Sequence, residues 1–261
     1  MSTPCSRPPI HVSLGAYGRT PHLIAIAEML VSPPEESLWG RLSTDHVQIC
    51  PQNHGLFTVE TAQQVRQALP SIHWRLHANV RVRGVHRWAD ICDWPQERDY
   101  FRELARVSQA LEAPAYTAHA GRRHEASLQD IFRYTRELED LFGVPVGIEG
   151  HYPTHGYYWA LSSWDEYRAL LESGVRYALD LSHLHILTIQ TNRWERNLVC
   201  EMLACERCLE VHVSGNNGHA AQHRQLMEEP WWFQLLGYIH PNATVFSEGR
   251  QSVRKSLEVA A

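Results

Sequence analysis

Residues 127–180 read SLQDIFRYTRELEDLFG, VPVGIEG, HYPTHGYYWAL, SSWDEYRALLESG and VRYALD in succession, and this stretch decides the fold. Ser127–Phe142 spaces its apolar side chains as one face of a helix, and Gly143 stands where a glycine would end that helix. Ser163-Trp164-Asp165-Glu166 fits a capping box that opens a second helix, Ser163–Glu172, and Gly174 closes it. Val144–Glu149 and Tyr177–Asp180 are short apolar runs with β-branched and aromatic residues, the composition of buried strands. Helix, strand, helix and strand in this order predict parallel strands joined by helical crossovers.

The alternation continues in both directions. Strands are predicted at Pro9–Leu14, His46–Cys50, Ile72–His77, Ala115–His119, Leu209–Val213 and Thr244–Phe246 as well. Helices are predicted at Pro21–Val31, Val59–Leu69, Gln96–Leu111, Arg193–Arg207 and Gln225–Leu236, with a last one from Gln251. The chain has 261 residues, and a closed (β/α)₈ TIM barrel typically needs about 250. No composition break or Ser/Gly-rich linker interrupts the pattern, so residues 1–261 read as one barrel domain, with residues 1–8 as a flexible tail. An open doubly wound sheet is the alternative, but no Gly-x-Gly-x-x-Gly follows the first strand.

Composition narrows the function classes. No apolar run reaches the roughly 18 residues of a membrane span. The opening Met-Ser-Thr-Pro-Cys-Ser-Arg-Pro-Pro lacks the apolar core of a secretory signal, which points to a cytoplasmic protein with no membrane partner. A net charge of −5 gives no broad basic footprint, so nucleic acid is a poor fit as a partner. Six cysteines are too sparse for a disulfide scaffold of this length. The unusual count is 17 histidines, and their positions carry the argument.

Chemistry in such barrels sits at the C-terminal ends of the strands. The third to eighth predicted strands deliver, in order, His77, His119, Glu149, Asp180, His212 and Glu248 to that rim. Any one of them alone reads more readily as a capping or salt-bridging residue. Three carboxylates at one mouth repel unless positive charge sits between them, and metal ions supply it. Imidazole with carboxylate suits zinc, iron or manganese. Six donors exceed the needs of one open catalytic ion, so two or more ions are expected. His183 just beyond the sixth strand, and His219 and His223 in the loop after the seventh, extend the set; His11 ends the first strand.

The arrangement resembles the xylose-isomerase-like barrel superfamily, whose sugar isomerases and epimerases share a Glu, Asp, His, Glu quartet, here Glu149, Asp180, His212 and Glu248. Two branches with multinuclear metal sites add histidines matching His77 and His119. In the endonuclease IV branch, the opening His-Val-Ser resembles His11-Val12-Ser13, and Asp-x-x-His resembles Asp180 to His183. The stronger likeness is to the multinuclear non-haem iron-dependent oxidases (MNIO), which modify cysteine-bearing peptides in natural-product pathways. It rests on residues 47–54 (VQICPQNH), Leu76-His77, residues 161–183 ending LDLSH, His212-Val213-Ser214-Gly215 followed by His223, and residues 230–236 (PWWFQLL).

The MNIO resemblance implies two or three irons cycling between Fe(II) and Fe(III), held by His77, His119, Glu149, Asp180, His183, His212, His223 and Glu248. Zinc or manganese is the alternative metal. It also implies catalytic roles for Glu149, Asp180 and His183, with substrate thiolate and dioxygen on adjacent irons and Glu149 a candidate bridge. Asn53, Tyr152, Tyr157 and Asn216 are the expected substrate-binding residues. The substrate is a peptide or small molecule, and a separate peptide-recognition protein is an expected partner. Two departures matter. Both multinuclear branches place an aspartate where this chain has Ala221, and Gln48 and Gln52 replace acidic residues common among the oxidases.

Other readings stay open. A metal-dependent phosphodiesterase acting on damaged DNA would use Arg81, Arg83, Arg87, Arg122 and Arg123 on phosphate, although solvated rim arginines are the simpler account. A mononuclear sugar isomerase or epimerase leaves His77 and His119 unexplained. A barrel with vestigial ligands would bind a partner without catalysis. Cys200, Cys205 and Cys208 read as helix burial rather than a metal or redox site, and Trp231-Trp232-Phe233 as packing against the barrel. Tyr152, His155, Tyr157, Tyr158 and Trp159 form a loop expected to overhang the mouth.

Overall fold

The computed structural model describes residues 7–85, 88–156 and 158–251. Eight parallel strands close a barrel in chain order. They are β1 (Ile10–Ser13), β2 (Ser43–Ile49), β3 (His73–His77), β4 (Tyr116–His119), β5 (Val146–Glu149), β6 (Arg176–Asp180), β7 (Cys208–Val213) and β8 (Thr244–Ser247). Every strand expected from the sequence is present, within three residues at each end. A short antiparallel ladder, Glu35–Glu36 with Gly40–Arg41, was not anticipated and straps the segment before β2.

Seven α-helices lie among the described residues: α1 (His22–Val31), α2 (Val59–Ala68), α3 (Arg98–Ala110), α4 (Leu128–Phe142), α5 (Trp164–Glu172), α6 (Leu181–Thr191) and α7 (Arg196–Ala204). Their starts follow the capping chemistry of the sequence. Thr58, Ser127 and Ser163 accept a hydrogen bond from the backbone N–H three residues on, at 3.2, 3.1 and 3.4 Å. Gly143 ends α4 at φ +68, a left-handed conformation that glycine adopts without a Cβ penalty. Buried Tyr100, Phe101, Leu104, Ala105 and Val107 line one side of α3, and Ile131, Phe132, Leu138 and Phe142 one side of α4.

Three helix expectations are corrected. Helix α6 was not foreseen, because its sequence LSHLHILTIQT follows β6 without a loop and is apolar on several sides, so it lacks an amphipathic period. The helix expected over Arg193–Arg207 is only Arg196–Ala204, since the preceding residues are taken up by α6 and its exit. The helix expected over Gln225–Leu236 is a 3₁₀ turn at Phe233–Tyr238, because Pro230 disfavours helical backbone in the residue before it. The helix expected from Gln251 lies outside the described residues. Trp232 and Phe233 are nonetheless buried, and Trp39 stacks on Phe233 at 5.3 Å. No helix among the described residues is long and apolar enough to cross a membrane.

Candidate metal centre

Strand register sets the level of the donors. His119 pairs with Glu149 across β4 and β5, and Asp180 with His212 across β6 and β7. His77 and Asp180 are the last residues of β3 and β6, while Glu248 extends the ladder past β8 by donating its N–H to the Val213 carbonyl at 3.0 Å. His183 arrives on the first turn of α6, whose N-cap is Asp180: Oδ1 accepts from the N–H of Ser182 (2.7 Å) and of His183 (3.2 Å). His223 arrives on a loop closed by paired backbone bonds between Gly215 and Arg224, and takes a left-handed φ of +46.

Glu149 is the hub. Its Oε1 lies 3.4 Å from His119 Nε2 and 3.6 Å from His183 Nδ1, and its Oε2 lies 3.5 Å from His77 Nε2 and 2.7 Å from His212 Nδ1. At the far side, His183 Nε2 faces Asp180 Oδ2 at 3.2 Å, and His223 Nδ1 faces Glu248 Oε2 at 3.1 Å. All eight sequence-predicted ligands therefore meet at the strand ends. Burial opposes the charge on Glu149, yet His212, His77 and His119 hold its carboxyl well below the usual range. Burial likewise opposes charge on His212, and Glu149 with Glu210 outweighs it and raises its pKa well above normal. His77 goes the other way, to about 4, because burial outweighs its carboxylate neighbours.

The donors fit metal ions. Glu149 Oε2 and Asp180 Oδ2 are buried carboxylate oxygens whose remaining lone pairs want a positive partner. Donor atoms of His77, His119 and Glu149 lie within 4.8 Å of one another, as do those of Glu149, Asp180 and His183. Both sets include Glu149. Above them a cavity of about 480 Å³ opens, walled by Gln52, His151, Tyr152, His155 and Trp159 among others. It adjoins a cleft of about 390 Å³ that shares Tyr152, Thr154 and His155 and is bounded opposite by His219 and Ala220.

Several expected residues stand elsewhere. Asn53 is buried and donates to the carbonyls of Leu14 (2.9 Å) and Gly18 (3.3 Å), bracing two loops instead of lining the cavity. Asn216 ties its loop to the start of α6 through the Ser182 carbonyl at 2.9 Å and faces a neighbouring groove. Tyr152 does reach the cavity, and its hydroxyl accepts the N–H of Ala221 at 2.9 Å. Tyr157 lies outside the described residues. His219 is exposed and does not replace the missing aspartate at Ala221. His11 sits lower in the barrel, with its ring 4.7 Å from His46. Cys205 ends α7 and Cys208 begins β7, so the three late cysteines do not share one helix.

The sequence reading missed Glu210, Thr117, Asp90 and His151. Glu210 stands two residues before His212 on β7, a spacing that puts both on the same face. Asp90 Oδ1 is 3.7 Å from His119 Nδ1 and is itself held by Asn79 at 2.9 Å. His151 is stacked between His119 (4.5 Å) and Trp159 (4.4 Å). No periodicity marks Asp90 or His151, because both lie in loops.

No family model matches the chain, and no curated protein matches its sequence. Solved structures do match along almost the whole length. A D-tagatose 3-epimerase-like protein superposes with a TM-score of 0.66 at 12% identity, covering 97% of this chain and 96% of the other. The family 2 AP endonuclease of Brucella melitensis gives 0.61 at 15% identity, covering 97% of both. The chain has the fold of the xylose-isomerase-like barrels. D-allulose 3-epimerase from Methylomonas sp., solved in complex with D-allulose, gives 0.58 at 14% identity, covering 95% and 86%. At such identities the likeness of these barrels to the present one is one of fold.

Proposed function

We propose that the protein is a multinuclear non-haem iron enzyme that uses dioxygen to oxidise a peptide, a cysteine-bearing one by resemblance. The observation that carries this reading is Glu149, whose two carboxylate oxygens each face two imidazoles. A mononuclear isomerase needs only the quartet Glu149, Asp180, His212 and Glu248, and it leaves His77, His119, His183 and His223 without a task. Two ions sharing Glu149 use them: His77 and His119 would hold one, and Asp180 with His183 the other, with His212, His223 and Glu248 completing the set. Nitrogen and oxygen donors of this kind suit iron in both its common oxidation states and leave positions open. Bound iron would supply the one-electron steps that make dioxygen usable as the oxidant.

The chain's own residues do the rest. His183 Nδ1–H donates to the Gly150 carbonyl at 3.0 Å, which turns its Nε2 toward Asp180 and the site. The Tyr152 hydroxyl, bonded to the Ala221 N–H, draws the loops after β5 and β7 together over the cavity. His151 and Trp159 give the cavity a flat aromatic wall on which a substrate can be oriented. A phosphodiesterase reading is less well supported: Arg122 is 3.5 Å from both Asp93 and Glu125, and Arg123 is 3.0 Å from Glu166, so these cations are engaged within the fold. The test is elemental analysis and Mössbauer spectroscopy of protein purified without oxygen. At least two coupled irons per chain are expected; zinc alone, with no iron-dependent activity, would overturn the proposal.

A further inference from the structure

Beneath the donors lies a carboxylate that the proposed function does not use. Glu210 is 0% exposed, inside the barrel on β7. Its Oε1 accepts from Arg75 Nη1 at 3.1 Å, and Arg75 is anchored in turn on Thr244 Oγ1 at 2.9 Å. Its Oε2 accepts from Gln48 Nε2 at 2.8 Å and from Thr117 Oγ1 at 2.9 Å, and lies 3.1 Å from His212 Nε2. A buried carboxylate needs this much compensation to stay charged. With its oxygens so engaged, Glu210 stands as a brace below the ions.

From these contacts we infer that Glu210 is a positioning residue that selects the ring nitrogens His77 and His212 present to the metal centre. The inference rests on the metal-centre reading above and extends it. A charged carboxylate can only accept hydrogen bonds. Thr117 has one hydroxyl proton, which goes to Glu210, so its oxygen accepts from His77 Nδ1 at 2.9 Å. His77 then carries its proton on Nδ1 and turns a free Nε2 toward Glu149. On β7 the same oxygen takes the proton of His212 Nε2, so that Nδ1, on the side of Glu149, is the nitrogen an ion would take. One carboxylate thus selects opposite nitrogens on two rings, one directly and one through a hydroxyl. The Gln48 amide nitrogen also lies 2.9 Å from His212 Nε2 and has a second N–H beyond the one given to Glu210, but the charged carboxylate is the stronger partner for that ring nitrogen.

The test uses the full chain loaded with zinc(II), a diamagnetic stand-in, and long-range ¹H–¹⁵N NMR correlation of the imidazoles. In the wild type, His77 is expected to carry its proton on Nδ1 and His212 on Nε2; the opposite tautomer at either ring overturns the inference. Glu210→Gln should weaken zinc binding by about 10- to 100-fold, the range seen when such supporting partners are removed, and His212 should lose its single tautomer. Thr117→Val leaves the Arg75–Glu210 pair in place and should disturb His77 alone, so it carries the test even if Glu210→Gln is too unstable to purify. Variants that match the wild type in affinity and tautomer refute the inference while leaving the metal centre standing. A wild type that takes up no zinc defeats the metal-centre reading and this inference together.

Discussion

Glu36 shows how one residue outside the centre can tune the molecule. It is 2% exposed, its Oε1 accepts from Ser247 Oγ at 2.6 Å and Gln251 Nε2 at 3.0 Å, and its Oε2 has no hydrogen-bond partner. Burial pushes its pKa up to about 7, against the smaller lowering by those hydrogen bonds. The folded state therefore binds the proton more tightly than the unfolded chain, and the stability Glu36 lends is present below about pH 4.5 and lost as pH rises through about 7. Glu36→Gln keeps an acceptor for Ser247 without the charge. Urea unfolding should show the variant gaining up to roughly 3 kcal/mol on the wild type between pH 5 and 8; parallel curves would refute it. At this scale the sequence was informative wherever a residue ends a strand, as for Glu149 or Asp180. It was silent for Glu36, because a buried glutamate on a strap looks like any surface glutamate until the strap is folded down.

Among the elements, β6 and α6 are joined by a residue with two tasks. Asp180 ends the strand, caps the helix through Oδ1 and offers Oδ2 to the centre. Asparagine caps as well as aspartate but lacks the charge, whereas loss of an N-cap to alanine costs about 0.5–2 kcal/mol. Metal-free Asp180→Asn should thus unfold close to the wild type and Asp180→Ala about 1 kcal/mol earlier, while both lose metal by elemental analysis. That double use also explains why α6 was illegible: its cap was already spent as the end of a strand. Gly121 works at the end of β4. At φ +89 a Cβ there would overlap Cys92 Sγ and Asp90 Cβ, in the segment that brings Asp90 to His119. Gly121→Ala should cost about 2–4 kcal/mol by strain and overpacking. Gly143→Ala, with open space around it, should cost only about 1 kcal/mol in thermal unfolding.

For the molecule as a whole, apolar strands and helices build the barrel, and the centre is set into its rim. The alternation of short apolar runs with amphipathic stretches made the barrel and six of the donors readable from the sequence, since strand ends fall at one level in any such fold, while His183 and His223 were legible only through the family resemblance. The braces below the donors were not readable, because Glu210, Arg75 and Gln48 meet only after the barrel closes across more than a hundred residues. Ions bound to the folded state alone stabilise it by mass action, about 4 kcal/mol at a thousandfold excess over Kd. Chelation should therefore lower the midpoint of thermal unfolding by about 10 °C while far-ultraviolet circular dichroism stays that of a folded barrel; collapse of the spectrum would mean that the metal organises the fold itself. The central claim, that distant side chains jointly hold more than one ion around Glu149, is tested most directly by an anomalous difference map at the iron edge from crystals grown without oxygen. Two or more peaks within coordination distance of Glu149 are predicted, and a single peak or none at the strand ends would contradict it.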